Sequence, residues 1–250
     1  MMPTISEKRA TFRTLHDSGF FLVPNAWDVG SAVRLTRLGF KAIASTSAGA
    51  AWALGKEDGE LSLGEVLAHL RQLVAATDLP VNADFENAFA DTPEAVAANV
   101  SLALDTGIAG VSVEDWSGSA IYDSALAADR IAAARAAIDA ADPAAMLIGR
   151  HEKFRVPDTN AASAIARAVA YAEAGADCIF VPGLADHGAI AELVAAVAPK
   201  PVNVIAQVYD ERIDQLAVIG VRRCSTGGSL AKIAYDAFDV AAATLRAYQP

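Results

Sequence analysis

Cysteine is scarce in this chain: Cys178 and Cys224 are its two thiols, and both sit inside apolar, strand-like runs. They read as buried, inert thiols, and nothing in their spacing suggests a disulfide framework or a zinc site. Cations are also in short supply, with 20 Lys and Arg against 30 Asp and Glu and a formal net charge of −10. That balance argues against nucleic acid as a partner, because neutralising phosphates takes a clustered basic surface. It equally disfavours an anionic membrane surface. Long apolar runs are missing: no stretch reaches the roughly 18 residues a membrane-spanning helix needs, and Met1 to Arg13 holds no signal-peptide core. A soluble, cytoplasmic protein is the expectation.

What the chain does have is apolar bulk, 54% of its 250 residues, arranged in a repeating order. Buried-type strands are expected at 20–26, 42–46, 81–86, 110–114, 145–150, 178–183, 201–206 and 221–226. Helical spacing fills the intervals at 28–38, 63–76, 92–106, 125–140, 160–174, 186–198, 210–218 and 229–247, after a first helix over 5–18. Asp28 is a candidate N-cap, Ser62 with Glu65 forms a capping box, and Asp158 or Thr159 opens the helix after the fifth strand. Residues 47–59 read as a long loop.

Eight strand–helix units point to a parallel sheet closed into a single-domain (β/α)₈ TIM-type barrel. The alternative, an open doubly wound sheet, announces itself by a Gly-rich turn after its first strand. Here that turn is Asn25-Ala26-Trp27-Asp28.

Barrels of this type carry their chemistry at the C-terminal strand ends. Those ends hold Ser45, Thr46 and Ser47, then Asp84 and Glu86, Glu114 and Asp115, and Arg150, His151 and Glu152, with Asn203 inside strand seven. Asp58 stands in the loop after strand two. Alternation along a strand sends Asp84 and Glu86 to one face, where two carboxylates repel unless a cation or proton lies between them. An all-oxygen set suits a hard dication, Mg²⁺ or its substitute Mn²⁺. The alternative is ion pairing with Arg150 and Lys153.

Arg150 offers a bidentate cation for an oxyanion. His151 reads as a hydrogen-bonded structural histidine, His187 as structural at a helix start, and His16 and His69 as surface residues. Lys153 lies beyond its strand, which disfavours a Schiff-base aldolase. Gly227-Gly228 is either a phosphate-binding helix start or a tight turn.

The ordered set of motifs resembles the isocitrate lyase/phosphoenolpyruvate mutase superfamily over nearly the whole chain. It comprises Val23-Pro24-Asn25-Ala26-Trp27-Asp28, Ser45-Thr46-Ser47-Ala48-Gly49, Leu54-Gly55 through Asp58-Gly59, Asn82-Ala83-Asp84 with Glu86, Val113-Glu114-Asp115, Gly149-Arg150, Ala174 to Gly183 and Gly220-Val221-Arg222-Arg223. The resemblance implies a (β/α)₈ barrel whose last helix is exchanged between subunits of a homodimer or homotetramer. It implies Asp84 as direct Mg²⁺ ligand, with Asp58, Glu86 and Glu114 holding the metal's waters. Thr46, Ser47 and Ala48 would grip a substrate carboxylate, Arg150 its other anionic end, and Asn203 would add a further substrate contact. Arg150, Glu114 and Asp58 would carry the chemistry on a small anionic keto acid.

Departures narrow that implication. The Lys-Lys-Cys-Gly-His gate of the isocitrate and methylisocitrate lyases is replaced by Trp116-Ser117-Gly118-Ser119-Ala120-Ile121-Tyr122-Asp123. Their general acid is therefore missing. The favoured expectation is a Mg²⁺-dependent lyase that forms a pyruvate enolate from an oxaloacetate-like acid, since losing CO₂ needs no protonated leaving group. P–C bond chemistry, a non-catalytic ligand-binding barrel and a sugar-phosphate enzyme are the alternatives.

Overall fold

The structure, a computed structural model, describes residues 3–152, 160–206, 208, 213–246 and 248. Its strands are β1 (Phe21–Val23), β2 (Asn25–Ala26), β3 (Ile43–Ser45), β4 (Val81–Asp84), β5 (Gly110–Glu114), β6 (Met146–Arg150), β7 (Cys178–Phe180), β8 (Val202–Ile205) and β9 (Arg223–Ser225). All pair in parallel in the order β1-β9-β8-β7-β6-β5-β4-β3-β2. Segments β1 and β2 are one stave interrupted at Pro24, which has no N–H to give a ladder. β1 pairs with β9 on one side and β2 with β3 on the other, so this stave closes the barrel. The expected eight-unit barrel is thus present.

The helices are α1 (Ile5–Asp17), α2 (Val29–Arg37), α3 (Ser47–Ala53), α4 (Leu63–Ala76), α5 (Pro93–Leu104), α6 (Ser124–Ala141), α7 (Ala161–Glu173), α8 (His187–Val197), α9 (Ile213–Val218) and α10 (Ser229–Arg246). Asp28 caps α2, and Ser62 with Glu65 forms the capping box of α4, as their spacing predicts. The expected caps Asp158 and Thr159 lie outside the described residues, as do Lys153 and residues 210–212; the observed cap of α7 is Asn160. The segment expected as a long loop begins instead with α3. Thr46 Oγ1 caps it by accepting from the Gly49 N–H. Three small residues made that turn look like loop.

Alternation sorts the strand residues into two apolar clusters. One lies between strands and helices and includes Ile43, Val81, Val111 and Leu147. The other fills the barrel: Val23, Ala44, Ile148, Cys178 and Phe180, with Phe12 of α1. Helix α1 plugs the N-terminal end. Lys8 Nζ donates to Thr77 O at 2.6 Å, Arg9 Nη2 to Leu104 O at 2.9 Å and Arg13 Nη2 to Ala145 O at 3.0 Å. The first two carbonyls lie at the ends of α4 and α5, where cations also meet the negative helix pole. With the lower mouth closed, the barrel is open to ligands at its C-terminal face.

Candidate active site at the strand ends

Asp84 ends β4 and is fixed from two sides. Its Oδ2 accepts the Ser47 N–H at 3.0 Å, and its Oδ1 accepts from Arg150 Nη1 at 2.8 Å. Its own N–H donates to Ser45 Oγ at 2.8 Å. Ser47 Oγ also donates to Asp58 Oδ1 at 3.0 Å, which ties the loop after α3 to the strand end. Arg150, ending β6, turns Nε toward Glu114 Oε2 at 3.2 Å and bonds Glu152. The carboxyl groups of Asp84, Glu114 and Glu152 therefore surround one guanidinium.

Electrostatics reflect this crowding. Burial pushes the Glu114 carboxyl up to about 8; the Arg150 charge opposes the shift, while Glu152, Asp84 and Glu86 add to it. Burial works against the Arg150 charge, but its three carboxylate neighbours hold it protonated more firmly than usual. An excess of carboxylate around one cation calls for more positive charge.

Glu86 reaches the site by another route than alternation suggests. β4 stops at Asp84, and Glu86 lies in a turn with φ 48°, followed by Ala88 at 59° and Phe89 at 54°. Three non-glycine residues in the left-handed region carry strain, so outside bonds must hold the turn. Arg130, 1% exposed, supplies them. Its Nη2 donates to Asn87 O at 2.5 Å and Ala90 O at 2.9 Å, while Nη1 donates to Glu114 O at 3.1 Å. The guanidinium stacks 4.0 Å over the Tyr122 ring. One arginine thus sets both Glu86 and Glu114, a role that nothing in its helix pattern announces.

The second acidic pair separates. Asp115 leaves the site and accepts from Tyr171 OH at 2.5 Å and Glu152 N at 2.9 Å, with His151 Nδ1 at 2.7 Å. Burial would raise the Asp115 carboxyl, but the bonds from His151, Tyr171 and Glu152 hold it below its usual value. His151 has the structural partner its sequence position suggested. His16, expected at the surface, is 6% exposed instead, with Nδ1 2.7 Å from Phe12 O and Nε2 3.3 Å from Arg223 Nη1.

Two cavities meet at Ser47, Asp58 and Arg150. The inner one, about 180 Å³, descends into the barrel past Thr46, Ala48 and Asp84 to Asn203 and Arg223. The outer one, about 270 Å³, runs between Glu86, Glu114 and Trp116 to Ser117 and Gly118. Of the expected substrate contacts, Thr46, Ser47, Ala48, Arg150 and Asn203 all line the inner cavity. The Ser47 N–H, however, is already given to Asp84. The N–H groups of Thr226 and Gly227 are likewise taken by Asn25 Oδ1, both at 2.9 Å, which favours the tight-turn reading of that segment over phosphate binding.

Among the described residues no three acid, His or Cys side chains are gathered as a ready metal cluster. Arg150 bonds both Asp84 and Glu114 in the place between them. The donor chemistry still suits a hard dication: Asp84, Asp58, Glu86 and Glu114 present carboxylate oxygens along the two joined cavities.

A closed parallel barrel with a carboxylate-rich, arginine-centred cleft at its strand ends defines a class of enzyme. The family model described as phosphoenolpyruvate phosphomutase matches residues 12–246, and the chain belongs to that family, within the isocitrate lyase/phosphoenolpyruvate mutase superfamily. The uncharacterized Mycobacterium tuberculosis protein Rv1998c is 36% identical over 219 residues, covering 87% of this chain and 81% of its own. Escherichia coli 2-methylisocitrate lyase is 32% identical over 178 residues, covering 66% of this chain and 58% of that protein. A Burkholderia cenocepacia crystal structure, provisionally described as a lyase/mutase, superposes with TM-score 0.92 at 40% identity, covering 97% of this chain and 88% of the other. The fold also matches that of 2,3-dimethylmalate lyase, with TM-score 0.88 at 22% identity over 99% and 89% of the two chains. The protein is thus an enzyme of a superfamily whose named members are lyases and mutases.

Proposed function

We propose that this enzyme is a Mg²⁺-dependent lyase that acts on a small α-keto acid or related 2-hydroxy acid, with an oxaloacetate-like substrate favoured. The observation that carries this reading is the Asp84–Arg150–Glu114 arrangement, two carboxyl groups and one cation packed at the strand ends around a cleft sized for a small acid. Asp84 would hold the metal directly, and Asp58, Glu86 and Glu114 its waters. When bound, the metal supplies a positive charge beside the keto oxygen, where negative charge develops as the C–C bond breaks.

The chain's own residues do the rest. Thr46, Ala48 and Asn203 shape the inner cavity, and Arg150 places a fixed cation at its rim. In decarboxylation, the electron pair of the bond to the leaving carboxylate moves into the enolate, CO₂ departs, and a proton later returns to that carbon. Departure of CO₂ requires no acid from the protein, which suits a 116–123 segment without Lys, Cys or His. In the outer cavity that segment contributes Trp116, Ser117 and Gly118.

Metal-dependent pyruvate release from a panel of keto and hydroxy acids tests the reading. Oxaloacetate should turn over with Mg²⁺ and stop with EDTA. Turnover of phosphonopyruvate alone would move the chemistry to a P–C bond, and turnover of nothing in the panel would favour a non-catalytic binding barrel.

Self-association belongs to the same proposal. Helix α10 keeps Phe238 67% and Leu245 71% exposed on one face, two turns apart, and Val240 69% exposed on the opposite face, apolar surface suited to a second copy of the chain that takes up the whole helix. A homodimer or homotetramer that exchanges this helix would cover them.

A further inference from the structure

The barrel interior holds a second arginine whose surroundings are the reverse of those of Arg150. Arg223 enters from β9 and is 2% exposed. Its Nε donates to Asn203 Oδ1 at 3.0 Å, and its Nη1 lies 3.3 Å from His16 Nε2. The Phe12 ring lies 5.8 Å from its guanidinium carbon. Among the described residues no carboxylate contacts it.

That is an expensive arrangement. A buried cation normally comes with an anion, and without one the desolvation cost is offset only by neutral acceptors. Neither acceptor here carries charge. Asn203 is an amide, and burial followed by the Arg223 charge itself pushes His16 down to about 3, so its ring is neutral and Nε2 accepts. A guanidinium has five N–H donors, and among the described residues these two bonds leave the rest of the fork without a partner.

The fork is also within reach of a ligand. Arg223 lines the inner cavity together with Asn203, Ser225, Asn25, Asn82 and Ser112. All six are buried polar residues, in a place where barrels of this kind usually stack branched apolar side chains. The charge distribution is therefore split by depth. The strand ends carry more carboxylate than cation, and the floor carries a cation without carboxylate.

We propose that Arg223 binds a carboxylate of the ligand at the floor of the inner cavity, the one that keeps its charge through the reaction. The assignment rests on the reading of this cleft as a carboxylic-acid site. It changes where the acid is gripped. The Ser47 N–H is given to Asp84 and Arg150 is bonded by three carboxylates, whereas Arg223 has donors to spare. The retained group must be the one on Arg223, because a carboxylate held on a cation is stabilised against release as CO₂. The substrate class is then a small organic acid inserted carboxylate-first, with its reacting carbon left nearer the metal-side acids. Arg223 also ties α1 to the barrel through His16, and a purely structural strut is the competing account.

Titration calorimetry with oxalate in EDTA, on the full chain, separates the two. Wild type should bind oxalate without metal, and Arg223→Gln should weaken that binding at least tenfold. Equal oxalate binding by the two proteins would overturn the assignment. A wild-type crystal soaked with oxalate in EDTA gives the same answer without depending on how the variant folds. Oxalate density against the Arg223 guanidinium supports the proposal, and oxalate seated only against Arg150, or absent, refutes it. Failure of the lyase reading shows differently: oxaloacetate would be inert with Mg²⁺ while oxalate still bound through Arg223.

Discussion

Arg150 Nη1 and Asp84 Oδ1 stand 2.8 Å apart, and both side chains are 15% exposed. The pair joins the end of β6 to the end of β4 across β5, with Glu114 of β5 3.2 Å from the same guanidinium. Arg150 is therefore the counter-charge of the cleft in the absence of metal. Arg150→Gln leaves Asp84, Glu114 and Glu152 crowded together, and removing one partner of a buried ion pair costs about 3–5 kcal/mol. We expect a lower melting temperature for this variant, largely restored by Mg²⁺, with keto-acid turnover reduced at least about a hundredfold. Melting curves with and without Mg²⁺ check this; a variant whose melting temperature ignores Mg²⁺ would separate the arginine from the metal site.

Arg130 holds the left-handed turn of Glu86, Ala88 and Phe89 through Asn87 O and Ala90 O. Arg130→Met should lose about 2–4 kcal/mol, since one buried and two partly buried carbonyls lose a charged donor. It should also lower turnover, because Glu86 and Glu114 lose their common support. Denaturant unfolding and steady-state rates measure the two effects. Full activity in a destabilised variant would show that the turn's position does not matter to the chemistry.

The neutral His16 makes an acid-side prediction. Burial and the Arg223 charge lower its folded value to about 3 from the ordinary 6.5. The unfolded chain therefore binds the proton first as pH falls through 6.5, and stability contributed by the neutral ring drains away between there and about 3. The slope approaches about 1.4 kcal/mol per pH unit at its steepest. His16→Gln should start less stable at pH 7 yet lose less between pH 6.5 and 4. Parallel stability profiles of the two proteins would refute the assignment.

The apolar side chains exposed on both faces of α10 predict the state of the protein in solution. Phe238, Val240 and Leu245 are 67%, 69% and 71% exposed in the single chain. Light scattering should report a dimer or tetramer, and Phe238→Asp should shift it toward monomer. A wild-type monomer at micromolar concentration would leave that helix without a partner chain.

The barrel was legible because its signals are local. Eight apolar runs, turn glycines and caps such as Asp28 and Ser62 recur along the chain, and the structure keeps nearly all of them. The acids at strand ends followed from strand order, and Asp84, Glu114 and Arg150 do converge. Alternation failed at Glu86, because β4 ends two residues earlier and the chain turns through positive φ. It failed again at α3, where small residues hid a helix capped by Thr46. Arg223 stood inside a motif of the resemblance without a role, and the roles of Arg130, Arg223 and His16 were illegible for a different reason. Their roles depend on partners far along the chain, such as Asn87 for Arg130 and, for Arg223, Asn203 and the ring of His16 itself. No spacing within a helix or strand encodes those contacts.

Asp84 is assigned as the anchor of a metal on which keto-acid cleavage depends. The most direct measurement follows pyruvate release from oxaloacetate by wild type and Asp84→Ala across a Mg²⁺ titration, with EDTA as the zero point. Wild type should show saturable Mg²⁺ dependence, and the variant should lose at least about a thousandfold at every Mg²⁺ level. Oxaloacetate turnover that persists in EDTA, or an Asp84→Ala protein as active as wild type, would contradict it.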